Sequence, residues 1–278
     1  MRQLILALLL SLSFAANSRE TLTGDAVYYV SNTGHNANDG RSPSSAWATP
    51  QHAWDVIQKT LDLSCHKVRV NLSGAFPPLV ASGRLVGACT LDAVTFYGNK
   101  DHPNEVTIDA TGVNAITVKA GAWLKLDGLL LSATQPSDPV SFGRCLVVYE
   151  GARVVLGTMA WHVCELAHIT VVDAEIHAEF SSQYITGTSQ SFAIVEVGGK
   201  LWLNGAWITP LVPQYFPLGM FHVTQLALLD LSGTILNNIA PVAGPAYKVK
   251  SGALLIRLGM LLPGLSSGQV EASGIVIP

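Results

Sequence analysis

Charge is scarce. Asp, Glu, Lys and Arg make up 13% of the 278 residues, about half the usual globular share. Ser, Thr, Asn, Gly and backbone must therefore cover much of the surface, which suits an all-β chain better than a helical one. The net charge of −3 comes with no clustered basic face, which argues against a nucleic-acid partner. C-x-x-C is absent, and no His stands at metal-finger spacing, so no zinc module is expected. Acids nearly vanish after Phe180, leaving Glu196, Asp230 and Glu271; that half is a poor place for acid–base catalysis. A Ser-His-Asp set, a P-loop and a Rossmann fingerprint are all lacking, and GGK at 198–200 has no second half of a phosphate loop. Helical periodicity is missing beyond residue 62.

The first residues, MRQLILALLLSLSFAANS, place Arg2 before an apolar run and then small residues. That is the layout of a secretory signal, expected to be residues 1–18. The run is about half the length that spans a bilayer. No membrane span is expected in the mature chain, 19–278, and its expected location is secreted or periplasmic. Export permits disulfides. Cys65, Cys89, Cys145 and Cys164 are compatible with buried thiols or with one or two bridges, and Cys65–Cys89 and Cys145–Cys164 are the pairings to test first. NLS at Asn71 is a glycosylation sequon, which means little if the host is bacterial.

What is present begins with one strand (Tyr28, Tyr29, Val30), a polar loop and TPQHAWDVIQKTLDL. Thr49 is a good N-cap, and Pro50 sits where a helix needs no N–H. Ala53, Trp54, Ile57 and Leu61 recur on one face, so a helix is expected over about 50–62. The period then changes to two, in VRVNL (68–72), TLDAVTFYG (90–98) and EVTID (105–109). Six related segments follow: AITVKAGAWLKLDGLLLS, CLVVYEGARVVLGTMAWHV, HITVVDAEIHAEFSSQYITG, AIVEVGGKLWLNGAWITP, HVTQLALLDLSGTILNN and YKVKSGALLIRLGMLLPG. Each reads strand, small-residue corner, strand and a further apolar run, recurring at roughly 20–30 residues, the solenoid range. Three short strands per turn, stacked in parallel, account for this texture. The expected fold is all-β: one single-stranded right-handed parallel β-helix domain, with the lone helix capping its first turn. A β-sandwich is the rival, but it leaves the single leading helix unexplained.

The opening strand, the loop Gly34–Gly40 and the phrase Trp47–Ala53 resemble the entry of right-handed parallel β-helix proteins of the pectate-lyase-like group. LDLSCHKVRVNLSGAF and LVASGRLVGACTLDAVTFYGN resemble the first turns of a phage and prophage tail-fibre-like family of alpha-proteobacteria, and LPGLSSGQVEASG (262–274) resembles its closing phrase. LSGAF stands where that family has A-D-G-x-Y. The resemblance implies a non-enzymatic surface or appendage protein, virion-associated, binding polysaccharide or cell-surface glycans, with a homo-trimer as a common assembly.

The alternative is a secreted polysaccharide lyase or hydrolase on the same scaffold. Such hydrolases use paired carboxylates, one protonating the leaving oxygen and one activating water. The strings N-T-D, D-D, G-H-G and R-I-K of polygalacturonases are absent. The densest polar region lies between Arg144 and Glu179 and includes His162, Glu165 and His168. In DAEIHAE, Asp173, Glu175, His177 and Glu179 alternate and would share one strand face. With Glu150 and Arg153 they form the candidate polar or glycan site; a solvated strand face is the plainer reading. Asn36, Asn38 and Asp39 in the opening loop offer oxygens to a cation, although calcium generally takes 6 to 8 and ordinary turn chemistry explains them too. No cofactor and no metal site is expected beyond that weak calcium reading. Trp161, Trp202, Trp207, Tyr215 and Phe216 are candidates for sugar stacking or for packing.

Overall fold

The computed structural model describes residues 19–134, 143–237, 239–258, 260, 265–271 and 273–278. The expected signal segment, 1–18, lies outside them, as does part of LPGLSSGQVEASG. The chain winds into a parallel β-solenoid of about seven turns. The first face stacks Ala26–Ser31, the start of Val68–Phe76, Val94–Tyr97, Trp123–Asp127, Arg153–Leu156, Glu175–His177, Lys200–Trp202, Leu228–Asp230, Leu254–Ile256 and Ile275–Ile277. The second runs from the end of Val68–Phe76 through Val106–Thr111, Leu129–Thr134, Met159–Cys164 and Ser182–Ile185 to Trp207–Pro210 and Ile235–Leu236. The third runs from Leu79–Ser82 through Ile116–Lys119, Arg144–Tyr149, Ala167–Val172 and Ser191–Glu196 to Phe221–Val223, Tyr247–Val249 and Gln269–Val270. Among the described residues every strand pairing is parallel.

Register puts like on like. Val118, Val148, Val171, Val195, Val223 and Val249 form one column on the third face. Leu124, Val154, Ile176, Leu201, Leu229 and Leu255 form another on the first. All twelve are fully buried. β-Branched side chains suit such columns because they fill a pleated surface with few rotamers to lose.

The corner from the third face to the first explains the small-residue punctuation. Ala120–Gly121, Glu150–Gly151, Val197–Gly198, Gln225–Leu226 and Ser251–Gly252 each place two successive residues at positive φ. Hydrogen bonds tie each corner to the next: Gly121 N–H donates to the Glu150 carbonyl at 3.0 Å, Gly151 N–H to Asp173 at 2.7 Å, and Gly198 N–H to Gln225 at 2.9 Å. Two backbone bends in the left-handed region turn the strand sharply, and glycine reaches that region without a Cβ penalty.

The helix is Pro50–Thr60, and the Thr49 hydroxyl accepts the His52 N–H at 3.2 Å. Ala53, Trp54, Ile57 and Leu61 are buried against the first turn, as their spacing predicts. Trp54 Nε1 donates to the Ser82 carbonyl at 3.2 Å. The Gln51 amide does what an extra strand would do: its Oε1 accepts the Val80 N–H at 2.8 Å, and its Nε2 donates to the Val80 carbonyl at 3.1 Å. The exposed edge of the third face is thereby occupied. The leading strand, Ala26–Ser31, pairs with Val68–Phe76 and so extends the first face. Of the alternatives left open for the cysteines, two bridges form, in the pairings named for testing: Cys65–Cys89 with Cα atoms 5.0 Å apart and Cys145–Cys164 at 5.5 Å.

Candidate polar and aromatic face

The alternation in DAEIHAE holds: Ala174, Ile176 and Ala178 are buried, and their neighbours face outward. Glu175–His177 is the strand proper. Asp173 belongs to the corner, at φ 45°, as does Glu150 at φ 56°. Glu179 stands in the turn beyond. The stripe's carboxylates are largely engaged. Glu175 lies between two cations, 3.1 Å from Arg153 Nε and 3.1 Å from Lys200 Nζ. Glu179 Oε1 is 3.1 Å from His177 Nδ1. These groups are partly exposed, so each pair contributes at most about 1 kcal/mol. Their value is positional: they hold the long side chains upright on the face.

Neighbouring turns supply partners that the linear sequence does not place beside the stripe. One outward column reads Trp123, Arg153, Glu175, Lys200, Leu228. The next reads Arg69, Thr95, Lys125, Val155, His177, Trp202, Asp230. The His177 and Trp202 rings stack, with centroids 4.5 Å apart and 16° between planes. The guanidinium of Arg153 lies 5.5 Å from the Trp123 ring centroid, and that of Arg69 lies 3.7 Å from Tyr97. Three aromatic rings of the first face, Tyr97, Trp123 and Trp202, thus each have a cationic or imidazole neighbour. Hollows of about 410 Å³ (by Arg69, Tyr97, Lys125 and Asp127), 320 Å³ (by Trp123 and Arg153) and 150 Å³ (by Arg153, Glu175 and Lys200) lie along it.

The rest of the polar region divides. His168 is buried near the start of the third-face strand Ala167–Val172, with Nε2 3.2 Å from the His162 carbonyl and Nδ1 3.1 Å from the Ser189 hydroxyl. Burial there pushes the His168 pKa down to about 3, so it is a neutral core group. His162 is exposed beside a cleft of about 650 Å³ on the second face, floored by Leu130, Ala160 and Tyr184 and edged by Asp101 and His102. Of the aromatic candidates, Trp161 and Phe216 are fully buried; Trp207 (51%) and Tyr215 (64%) are exposed; Trp202 stands half-buried on the first face.

The opening loop spends its polar atoms on turns. Asn36 Oδ1 accepts the Ala48 N–H at 2.8 Å, and Asn38 Nδ2 donates to Ala46 at 2.9 Å. Asp39 accepts from the Ser45 hydroxyl at 2.7 Å and from the Arg41 N–H at 3.0 Å; the hydroxyl first and the N–H second hold its pKa below the usual value. Among the described residues, no three His, Cys, Asp or Glu side chains are grouped to hold a metal ion.

Sequence reasoning missed Arg69, Tyr97, Trp123, Lys125 and Lys200. A signal for two of them was available. Aligned on their corners, AGAWLKL, EGARVVL, DAEIH and GGKLWL put Trp123, Arg153, Glu175 and Lys200 at one position. No protein-family model matches the chain, and no curated protein does. Among the described residues, no helix is long and apolar enough to cross a membrane, and two disulfides accord with an oxidising compartment.

Proposed function

We propose that this is an exported, non-catalytic β-helix protein that binds glycan along its first face, as a surface or appendage component of the tail-fibre-like kind. The observation that carries the reading is the set of aromatic–cation pairs on that face: Tyr97 with Arg69, Trp123 with Arg153, and Trp202 with His177. Rings packed against a neighbouring side chain offer their remaining surface at little ordering cost, and they stand in three neighbouring columns of one face, on turns about 4.8 Å apart. The central carboxylate, Glu175, sits between two cations, the setting of a fixed ion-pair partner. Assembly as a homo-trimer belongs to the same reading and is checked by light scattering.

The test is a glycan array followed by calorimetry. A bound glycan should lose roughly tenfold in affinity on Trp202→Ala. A wild-type protein that binds no glycan would remove the reading. Release of unsaturated products or reducing ends from a polysaccharide panel would replace it with an enzyme.

A further inference from the structure

We propose that the hollow between Arg84, Trp123 and Arg153 is a site for an oxyanion carried on a ring, such as a uronate carboxylate or a sulfate ester. This gives the glycan reading a ligand class, and rests on that reading for the ring though not for the anion.

The hollow, of about 320 Å³, is bounded by Arg84, Leu85, Gly121, Trp123, Gly151 and Arg153 and has no carboxylate in its lining. Two guanidinium groups converge on it from different parts of the chain. Arg153 comes from the first-face strand; Glu175 engages its Nε at 3.1 Å, and no hydrogen bond is made by its two terminal nitrogens among the described residues. Arg84 comes from the segment that leaves the third face, and its guanidinium has neither an acidic partner nor a hydrogen bond there.

Arg84 lies across the corner at Gly121. A Cβ on Gly121 would lie 3.1 Å from Arg84 Nε and 3.2 Å from its Cγ, and Gly121 is at φ 71°. The φ favours glycine at this corner, and the arginine rests on the space that the missing Cβ leaves. Its segment is fastened at several points: the Val86 and Gly87 carbonyls accept the Leu63 and Cys65 N–H groups at 2.9 and 2.8 Å, and Cys89 is bridged to Cys65.

The chemistry follows. A guanidinium presents paired N–H donors that match the two oxygens of a carboxylate or sulfate. Glu175 already offsets the charge of Arg153, so Arg84 supplies the uncompensated positive charge and the terminal nitrogens of Arg153 add donors beside it. Trp123 supplies an apolar plane beside them, so a ring bearing the anion can lie on the indole while its oxygens reach the arginines.

The experiment measures binding to the full chain, at low and moderate salt, of four probes: a galacturonate oligomer, a sulfated galactan oligomer, a neutral galactan oligomer and sodium sulfate. Arg84→Gln is the main variant; Arg84 is exposed, and circular dichroism checks its fold. The expected result is tighter binding of an anionic oligomer than of the neutral one, weakened about tenfold or more by Arg84→Gln and by added salt. Whether the uronate or the sulfated oligomer binds tells which anion is taken. If sulfate binds through Arg84 while no oligomer does, the oxyanion pocket stands without the ring, and the glycan reading rests on the array alone. If neutral and anionic oligomers bind equally, or Arg84→Gln leaves anionic binding unchanged, the pocket is wrong and the glycan reading survives. If no probe binds, the pocket is wrong, and the glycan reading stands or falls on the array.

Discussion

A single backbone geometry recurs along one corner, but its residues are unequal. Gly151 and Gly198, at φ 68° and 72°, have open space where a Cβ would go. Gly151→Ala should therefore cost about 1 kcal/mol through φ alone, with no clash. Leu226 occupies the equivalent place at φ 62° and is 77% exposed. It bears the penalty its neighbours avoid, so Leu226→Gly should raise stability by up to about 1 kcal/mol, less the added freedom of the unfolded chain. Urea denaturation of the two variants checks the opposite signs. His168 makes a different test. Its folded pKa of about 3 lies below the ordinary 6.5, so the unfolded chain binds more protons between those values. The stability it contributes is complete above pH 6.5 and is lost as pH falls toward 3; at pH 4.5 roughly 2–3 kcal/mol should be gone. His222, lowered by burial and then by Lys250 and Lys248, acts in the same direction. His168→Gln should flatten the fall in Tm between pH 7.5 and 4.5, and an unchanged slope would refute the assignment.

At the scale of elements, the cap was legible and its closure was not. Thr49, Pro50 and the stripe Ala53, Trp54, Ile57 and Leu61 announce the helix, because capping and burial are local or follow the 3.6 period. Gln51 is an ordinary helix residue in sequence, yet its amide pairs with Val80, 29 residues on. Long-range pairing leaves no local trace. Gln51→Ala should cost about 1 kcal/mol and uncover a strand edge, so the variant should also aggregate more readily in light scattering. The candidate face follows the same rule. Glu175 and His177 were readable from alternation, a property of one strand. Lys200 and Trp202, their lateral neighbours, were separated from them by 25 residues of corner and strand. Stacking in a solenoid is decided by the length of each turn, and these turns vary, which blurred the alignment. His168 and His177 looked alike in sequence; one is core and the other surface, because the turn length also decides which strand residues are covered by their neighbours.

At the scale of the molecule, each turn touches mainly the turns before and after it. Stability should then behave as a sum over neighbours rather than as one cooperative block. Ile176 sits in the middle of the first-face column, between Val154 and Leu201, whereas Leu255 is near its last described strand, between Leu229 and Val276. Ile176→Ala and Leu255→Ala should each cost about 2–4 kcal/mol locally. Their reach should differ. The disulfide Cys145–Cys164 closes a loop of 19 residues on the turn before Ile176 and should strengthen the middle by about 3 kcal/mol in the chain-entropy account. Amide hydrogen exchange should find the slowest opening around residues 144–172 and faster opening toward both ends. Leu255→Ala should speed exchange in the last turns and leave 144–172 unchanged, while Ile176→Ala should loosen the turns on either side of it. If both substitutions instead lower protection equally along the whole chain, the turns fold as one unit and the neighbour-by-neighbour account is wrong.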